Sequence, residues 1–246
     1  MILKVLSFIE RISARLQGKG WGSKTIKKEF TAVCSLFQTT PALCIDIGAN
    51  KGAYTEAILS SYPNCKIVAF EPSLSNVKVL HKKFSEKSSV TIEQKAVSNI
   101  SGEQILYSDC VGSGLASLTK RRLEHFKITF ECREKVESVR FEEYWESELQ
   151  SQEIDFVKLD IEGHELDALY GFGKALKHIK IIQFEFGGCN IDTRTFWQDF
   201  WYFFREHGYF LYRVTPFGKE KINQYKEMDE FFSTTNFLAE RLSSRI

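Results

Sequence analysis

Apolar residues along the chain form short continuous runs that alternate with longer stretches of helical period. Runs typical of buried strands cover residues 42–47, 66–70, 90–97, 154–161, 179–186, 209–214 and 236–240. Helical periodicity covers residues 52–61, 76–84, 165–176 and 195–207. Because strands alternate with helices, the pattern predicts an α/β fold with a mostly parallel, doubly wound sheet, right-handed crossovers and helices on both faces.

The stretch from 98 to 148 interrupts this alternation. It holds two further strand-like runs, 102–108 and 136–141, separated by a loop of small residues at 111–118 and by a crowd of charges. We interpret this stretch as an insertion into the α/β domain.

Residues 2–16 form the pattern of an amphipathic helix, with Ile2, Leu6, Ile9 and Leu16 near one face. A glycine-rich break at 18–22 precedes a second helical stretch from about 24 to 37, for which Ser23 is a candidate N-cap. We therefore predict that residues 1–38 form a helical cap or lid on one domain spanning residues 39–246.

Composition and charge limit the classes of function. The chain has 246 residues, of which 43% are hydrophobic and 14% aromatic, enough for the core of one α/β domain. The net charge of +1 gives no overall field favouring nucleic acid. Residues 1–30 carry seven Lys and Arg against two Glu. We interpret these basic residues as the solvated face of a helix. Contact with a membrane surface, an acidic partner or another copy of the chain stays open as an alternative.

The cysteines and the first residues bear on location. None of the six cysteines forms a C-x-x-C pair, which is typical of reduced thiols without a zinc or redox motif. We find no signal-peptide pattern, and no apolar run reaches the ~20 residues of a transmembrane helix. These observations predict a cytoplasmic protein.

The segment CIDIGANKGAY, residues 44–54, predicts a strand, a tight glycine loop and a helix start. Gly48 and Gly52 would let the backbone approach a ligand, and Asp46 would lie near it. The spacing is G-x-N-x-G rather than the G-x-G-x-x-G of dinucleotide sites. It therefore favours a ligand without phosphates, such as S-adenosylmethionine, and leaves a nicotinamide-dependent oxidoreductase as an alternative.

A second acid follows the second strand, in IVAFEPS at residues 67–73. Glu71 stands 25 residues after Asp46, where a carboxylate can accept hydrogen bonds from both hydroxyls of a ribose. The two motifs together predict a nucleoside site, because ligands of open α/β sheets bind beyond the carboxyl ends of the strands.

The third group of polar residues lies in IDFVKLDIEGHELDAL, residues 154–169. Such a density of ionisable groups after a buried strand is typical of a functional site. The structural alternative is a helix start at which Glu162 and Glu165 offset the helix dipole. We interpret Asp160 as functional and Glu165 as a capping residue.

Together these segments resemble the FkbM-type methyltransferases. The matching strings are CIDIGANKGAYT, VAFEPS, AVSN with SGE at 96–103, GSGLASL at 112–118, FVKLDIEGHE and IIQFEF at 181–186. The resemblance implies a Rossmann-like class I fold with a seven-stranded sheet and S-adenosylmethionine as methyl donor. It also implies O-methylation of a hydroxyl on a sugar, glycan or secondary metabolite. By position, the residues lining the cofactor would be Asp46, Gly48, Asn50, Gly52 and Glu71.

On the acceptor side the resemblance places Asp160, His164 and Glu185. An alcohol acceptor needs a general base or a metal, and His164 is a candidate base with Asp160 and Glu185 as alternatives. A divalent cation held by Asp160 and Glu185 stays open, as does a non-catalytic binding module. One feature departs from many methyltransferases: the third predicted strand ends at 94–98 without an acid. Adenine would then be held by backbone near Ala96 and by apolar packing.

Overall fold

The computed structural model describes residues 2–21 and 25–242. Its helices are α1 Ile2–Leu16, α2 Ile26–Cys34, α3 Ala53–Ser61, α4 Leu74–Lys83, α5 Phe141–Ser147, α6 Glu165–Gly171, α7 Cys189–Thr193 and α8 Trp197–Glu206. Its strands are β1 Leu43–Ile47, β2 Lys66–Phe70, β3 Val90–Glu93, β4 Ala96–Ser98, β5 Gly102–Ser108, β6 Cys132–Arg140, β7 Ile154–Leu159, β8 Ile179–Phe186, β9 Tyr209–Thr215, β10 Gly218–Ile222 and β11 Thr235–Arg241.

The main sheet has eight strands in the order β10-β9-β11-β8-β7-β1-β2-β3. The strands from β8 to β3 are parallel, whereas β11 is antiparallel to both β8 and β9. The prediction of a mostly parallel sheet is confirmed. The eighth strand, which the sequence did not predict, forms an edge hairpin in which β10 pairs with β9. Strand β10 was missed because its sequence, GKEKI, is mostly charged and exposed, whereas the other strands were predicted from runs of apolar residues.

One predicted strand is wrong in its extent. Residues 90–97 form two strands in two sheets: β3 pairs with β2 in the main sheet, while β4 pairs with β6 in a second, three-stranded sheet of order β4-β6-β5. The chain changes partner at Gln94 and Lys95. A continuous apolar run reports burial but not the strand with which each part pairs.

Helices cover both faces of the main sheet. On one face α5, α6 and α8 bury the larger core cluster, which includes Phe141, Leu169 and Phe200. On the other face α2 and α3 pack around Phe156, in the smaller cluster that also holds Phe30. Helix α2 is thus part of the domain core, and the boundary at residue 38 stays a prediction.

Helix α1 differs from α2, because none of its side chains is buried. Ser23, the candidate N-cap of α2, lies outside the described residues. No helix among residues 2–21 and 25–242 is long and apolar enough to cross a membrane.

Candidate active site

A cleft of about 790 Å³ opens at the carboxyl ends of β1, β2, β7 and β8. Among the predicted residues, its lining includes Gly48, Asn50, Glu71, Ala96, Asp160, His164 and Glu185. A second cleft, beside α2 and α3, adjoins the first and shares with it Gly48, Asn50, Asp160 and Glu185. The sheet therefore brings most of the predicted site residues together around one opening.

Gly48, in the turn after β1, occupies a position that only glycine can adopt. Gly48 has φ +81°, and a Cβ there would stand 1.9 Å from the carbonyl oxygen of Asp160. The loop after β1 thus touches the end of the neighbouring β7, which only glycine permits. The amide N–H groups of Gly48 and Ala49 both donate to the Phe70 carbonyl, at 3.0 and 2.9 Å. These contacts hold the loop between β2 and β7.

Gly52, in the same loop, and Asp46, in β1, have different surroundings. Gly52, φ +73°, lines neither cleft: a Cβ there would meet the Phe84 ring at 2.5 Å, so this glycine lets α3 pack on α4. Asp46 lines only the second cleft and accepts a 2.6 Å hydrogen bond from the Thr55 hydroxyl. Burial raises the pKa of the Asp46 carboxyl, and the Thr55 hydrogen bond opposes this rise.

Glu71 occupies the predicted position at the end of β2, and its carboxylate organises the loop. One oxygen accepts the Asn50 N–H at 2.8 Å, and the other accepts the Ser73 N–H at 3.0 Å. Burial raises the pKa of Glu71, and these donors oppose the rise. The Asn76 side-chain amide donates to the second oxygen as well, at 3.3 Å, so about one of a carboxylate's roughly four lone-pair sites is left for a polar ligand.

The expectation that the third strand ends without an acid is wrong. Because β3 stops early, its last residue is Glu93. Its carboxylate accepts a 3.1 Å hydrogen bond from the Tyr144 hydroxyl and does not line either cleft. Lys95, Ala96 and Val97 line the opening instead.

On the side of β7 and β8 the site holds a buried ion pair. The Lys158 ammonium, almost fully buried, donates to Asp160 at 2.9 Å and lies 5.5 Å from the centre of the Tyr54 ring. Burial alone would lower the pKa of Lys158, but the Asp160 and Glu29 carboxylates outweigh burial and raise it. Lys158 therefore stays charged and holds one oxygen of Asp160.

Glu185 lies on the next strand, β8, and its carboxyl group makes no side-chain hydrogen bond to any residue that the structure describes. Burial raises the pKa of Glu185 well above the ordinary value, and the negative charges of Asp160 and Glu162 raise it further. It lines the opening, and residues 2–21 and 25–242 supply no fixed hydrogen-bond partner for it.

The turn between β7 and α6 contains two acids with different environments. Glu165, the first residue of α6, accepts the N–H groups of Ile161 and Gly163, both at 2.9 Å. These donors lie in the turn before α6, and no described side chain caps the helix, so the carboxylate holds the turn rather than the helix start that was predicted. Burial raises the pKa of Glu165 to about 8. Burial, reinforced by Asp160, raises the pKa of Glu162 to about 7 although Arg121 contacts it.

His164 lines the cleft, but both of its ring nitrogens face protein groups. Nε2 lies 2.7 Å from the Thr119 hydroxyl. Nδ1 lies 3.2 Å from an Asp167 oxygen, outside hydrogen-bond geometry. The ring would have to release Thr119 before Nε2 could accept a proton from a ligand.

The insertion covers the cleft, which the sequence did not indicate. Its loop folds back on β5 through hydrogen bonds between Tyr107 and Ser117, and Ser117 donates to the Glu162 carbonyl at 2.8 Å. The buried Arg121 guanidinium contacts Glu162 and lies 3.5 Å from Asp192. The small side chains at 113–118 line the opening and leave room for a ligand.

Helix α2 also contributes a residue that sequence reasoning missed. The buried Glu29 accepts a 2.9 Å hydrogen bond from Gln183 on β8, which in turn donates to Asn236 on β11 at 3.0 Å. The only local signal was a charged residue within an apolar helical stretch. Among the described residues, no group of three or more His, Cys, Asp or Glu side chains is placed to hold a metal ion.

Parallel strands with helices on both faces, a glycine turn after β1 and acids after β2, β7 and β8 define a Rossmann-like class I methyltransferase, as predicted. Residues 46–211 match the family described as the methyltransferase FkbM domain. This is well over half of the chain, which therefore belongs to that family. The assignment confirms the predicted methyl donor, S-adenosylmethionine, for the family.

Similarity to individual known proteins is low. No curated protein sequence matches the chain. Among solved structures, precorrin-6y C5,15-methyltransferase from Geobacter metallireducens is 11% identical, with 90% of this chain and 93% of that chain covered and a TM-score of 0.47. The fibrillarin pre-rRNA processing protein of Methanococcus jannaschii is 9% identical, with 89% and 76% covered and a TM-score of 0.49. An S-adenosylmethionine-dependent O-methyltransferase of Thermotoga maritima is 12% identical, with 89% and 66% covered and a TM-score of 0.44.

Proposed function

We propose that this protein binds S-adenosylmethionine in the cleft and transfers its methyl group to a hydroxyl of a sugar, glycan or secondary metabolite. The observation that carries the proposal is the cleft where Gly48, Glu71, Asp160 and Glu185 meet. We assign the nucleoside to the side of Asn50, Glu71 and Ala96, and the acceptor to the side of Asp160, His164 and Glu185.

The charges of the cleft fit a cationic cofactor. Asp160, Glu162 and Glu185 converge beside the two cationic groups of Lys158 and Arg121. Burial, and after it repulsion from the neighbouring acids, raises the pKa values of Glu162 and Glu185. A sulfonium cation placed there would be stabilised by these carboxylates, whereas the phosphates of a nicotinamide dinucleotide would be repelled. The same repulsion favours a small-molecule or glycan acceptor over nucleic acid.

In the reaction, the cofactor supplies an electrophilic methyl group on sulfur. The acceptor oxygen forms a bond to the methyl carbon while the carbon–sulfur bond breaks, with its electron pair going to sulfur. The acceptor proton must pass to a base. We assign this role to ionised Glu185, because it has no fixed hydrogen-bond partner among the described residues and its raised pKa makes its carboxylate a good proton acceptor.

Asp160 and Lys158 position the acceptor in this proposal. Lys158 occupies one Asp160 oxygen and leaves the other free to accept a hydrogen bond from the acceptor hydroxyl.

We place the reaction in the cytoplasm. The thiols of Cys44 and Cys65, whose sulfurs are 3.4 Å apart, fit a reducing compartment.

The test of cofactor class is ligand-induced stabilisation. We expect S-adenosylhomocysteine at 100 times its dissociation constant to stabilise the fold by about 2.7 kcal/mol, and NAD and NADP to leave it unchanged. Stabilisation by NADP without any by S-adenosylhomocysteine would contradict the methyltransferase proposal.

The test of acceptor class is labelled methyl transfer to a panel of sugars and glycans, followed by mass spectrometry of the products. We expect the methyl group on oxygen, and recovery on nitrogen would contradict O-methylation.

A further inference from the structure

Helix α1 presents a largely exposed apolar face, of which Phe8 and Ile12 line an open cleft with Phe231 and Ser233 of the domain. Its eight large apolar side chains are each between 45% and 79% exposed: Ile2, Leu3, Val5, Leu6, Phe8, Ile9, Ile12 and Leu16. By contrast, α2 buries Phe30 and Val33 against the sheet. A solvated helix face would carry polar residues at these positions. The prediction of a solvated face, which rested on the Lys and Arg of residues 1–30, therefore does not explain this helix.

The distribution of side chains around α1 is that of an interfacial helix. At 3.6 residues per turn, all of these apolar residues except Leu3 fall within an arc of about 160°. Lys4, Arg11 and Arg15 lie together on the neighbouring arc, against one acid, Glu10. A wide apolar face beside a basic row is typical of helices that lie in the plane of a lipid surface, whereas a coiled-coil seam is narrower.

Two further exposed apolar residues adjoin the end of α1. Lys19, three residues past the helix, donates to the Met228 carbonyl at 3.1 Å, and the Met228 side chain is 84% exposed. Gly18 packs so closely on β9 that a Cβ would stand 2.3 Å from the Val214 carbonyl oxygen. The turn that follows β9 presents Phe217, which is 80% exposed. Two exposed apolar side chains therefore belong to segments close to the end of α1.

We propose that α1 binds the surface of a membrane containing anionic lipids, with its apolar face inserted among the acyl chains and its basic row at the headgroups. A helix of 15 residues spans about 22 Å, shorter than the ~30 Å of a bilayer core, which suits a helix lying in the surface plane. The proposal does not depend on methyl transfer, because the helix contributes no residue to either cleft.

The chain offers a matched pair of variants. Ile9 lies near the centre of the apolar arc and Ser7 near the centre of the opposite side, by the same 3.6-residue geometry. Ile9→Glu and Ser7→Glu add the same negative charge to side chains that are both exposed. Neither variant should change the thermal unfolding temperature, because α1 buries no side chain.

The measurement is flotation of the full chain with vesicles of phosphatidylcholine alone or with added phosphatidylglycerol. We expect binding to the anionic vesicles that weakens as salt is raised. Ile9→Glu should weaken binding about ten- to a hundredfold beyond the effect of Ser7→Glu, because it removes an isoleucine that the acyl chains would bury on binding. Arg11→Gln and Arg15→Gln should each cost about fivefold on anionic vesicles only.

Three results would overturn the proposal. One is absence of binding to either kind of vesicle. Another is equal loss of binding in Ile9→Glu and Ser7→Glu, which would leave no role for the apolar face. The third is a wild-type dimer in light scattering that Ile9→Glu alone converts to monomer, which would show that a second copy of the chain covers the face.

Discussion

Glu71, directly after β2, and Glu185, in β8, line one cleft at the same edge of the main sheet, yet their surroundings differ. The Glu71 carboxylate accepts hydrogen bonds from Asn50 and Ser73, and so ties together the loops after β1 and β2. Glu185 has no such donors among the described residues and faces other acids, which together with burial raise its pKa. The nucleoside side of the cleft is thus held in place by satisfied polar groups. The acceptor side instead gathers buried acids with raised pKa values, whose carboxylate forms a bound cation would stabilise.

The strongest way to break this comparison is Glu185→Gln. If Glu185 takes the acceptor proton, turnover should fall about 10²–10⁴-fold, because a positioned proton acceptor contributes that much. Affinity for S-adenosylhomocysteine should change much less. Single-turnover methyl transfer beside calorimetry on the same variant measures both, and turnover near that of the wild type would remove Glu185 from the chemistry.

Glu71→Ala sharpens the other half of the comparison. A hydrogen bond from a ribose hydroxyl to a charged carboxylate is worth ~1.5–3 kcal/mol, so affinity for S-adenosylhomocysteine should fall roughly ten- to a hundredfold. The control is Glu93→Ala, which removes the acid at the end of the next strand, where it contacts Tyr144 rather than the cleft. Equal losses in the two variants would show that Glu71 acts only through the fold.

Variants of Lys158 and Asp160 test whether these two charges on the acceptor side stabilise each other. Removing one partner leaves the other without its counter-ion, so Lys158→Met and Asp160→Ala should each destabilise the protein. The double variant should lose less than the sum, by about 0.5–3 kcal/mol. Denaturant unfolding of all four proteins gives the coupling, and strict additivity would show that the 2.9 Å contact contributes nothing.

The pH dependence of stability should show the smallest effect. The pKa values of Glu162 and Glu165 in the fold are raised to about 7 and about 8, above those of the unfolded chain. The folded state therefore binds these protons more tightly, and stability should fall as the pH rises from about 5 through 8. Acids with lowered pKa, such as Asp155, lose their contribution only at lower pH.

Calorimetric scans without ligand should show a melting temperature that drops across this range, by ~2–4 °C for each kcal/mol of stability lost. Glu165→Gln should melt lower at every pH, because it loses an acceptor for a backbone N–H. Its melting temperature should nevertheless depend less on pH. A wild-type melting temperature that rises from pH 5.5 to 8.5 would contradict these assignments.

Some of the site could be predicted from residues that are close in sequence. The run from Cys44 to Gly48 predicts a buried strand followed by a tight turn, and the structure has both. Glu71, Asp160 and Glu185 were predicted at strand ends, which parallel strands necessarily bring to the same edge of the sheet. Glu165 was predicted as a cap because the helix start lies beside it in the chain, but its carboxylate holds the turn before α6 instead.

Other features depend on residues far apart in sequence. Glu29 and Gln183 are separated by 154 positions, and Arg121 and Glu162 by 41. Gly52 follows the glycine pattern of the loop, yet its φ of +73° serves packing against Phe84. No local pattern distinguishes a glycine that approaches a ligand from one that approaches a ring.

The sequence by itself determined the alternation of strands and helices, the glycine turn and the acids at strand ends, because hydrophobic period and turn chemistry act over a few residues. Only the tertiary structure decided that residues 90–97 divide between two sheets, that β10 extends the main sheet and that the insertion covers the cleft through Arg121. It also decided that Lys158 is buried against Asp160 while α1 buries nothing. These properties arise from which distant surfaces meet, since burial and charge pairing are set by the neighbours that folding brings together.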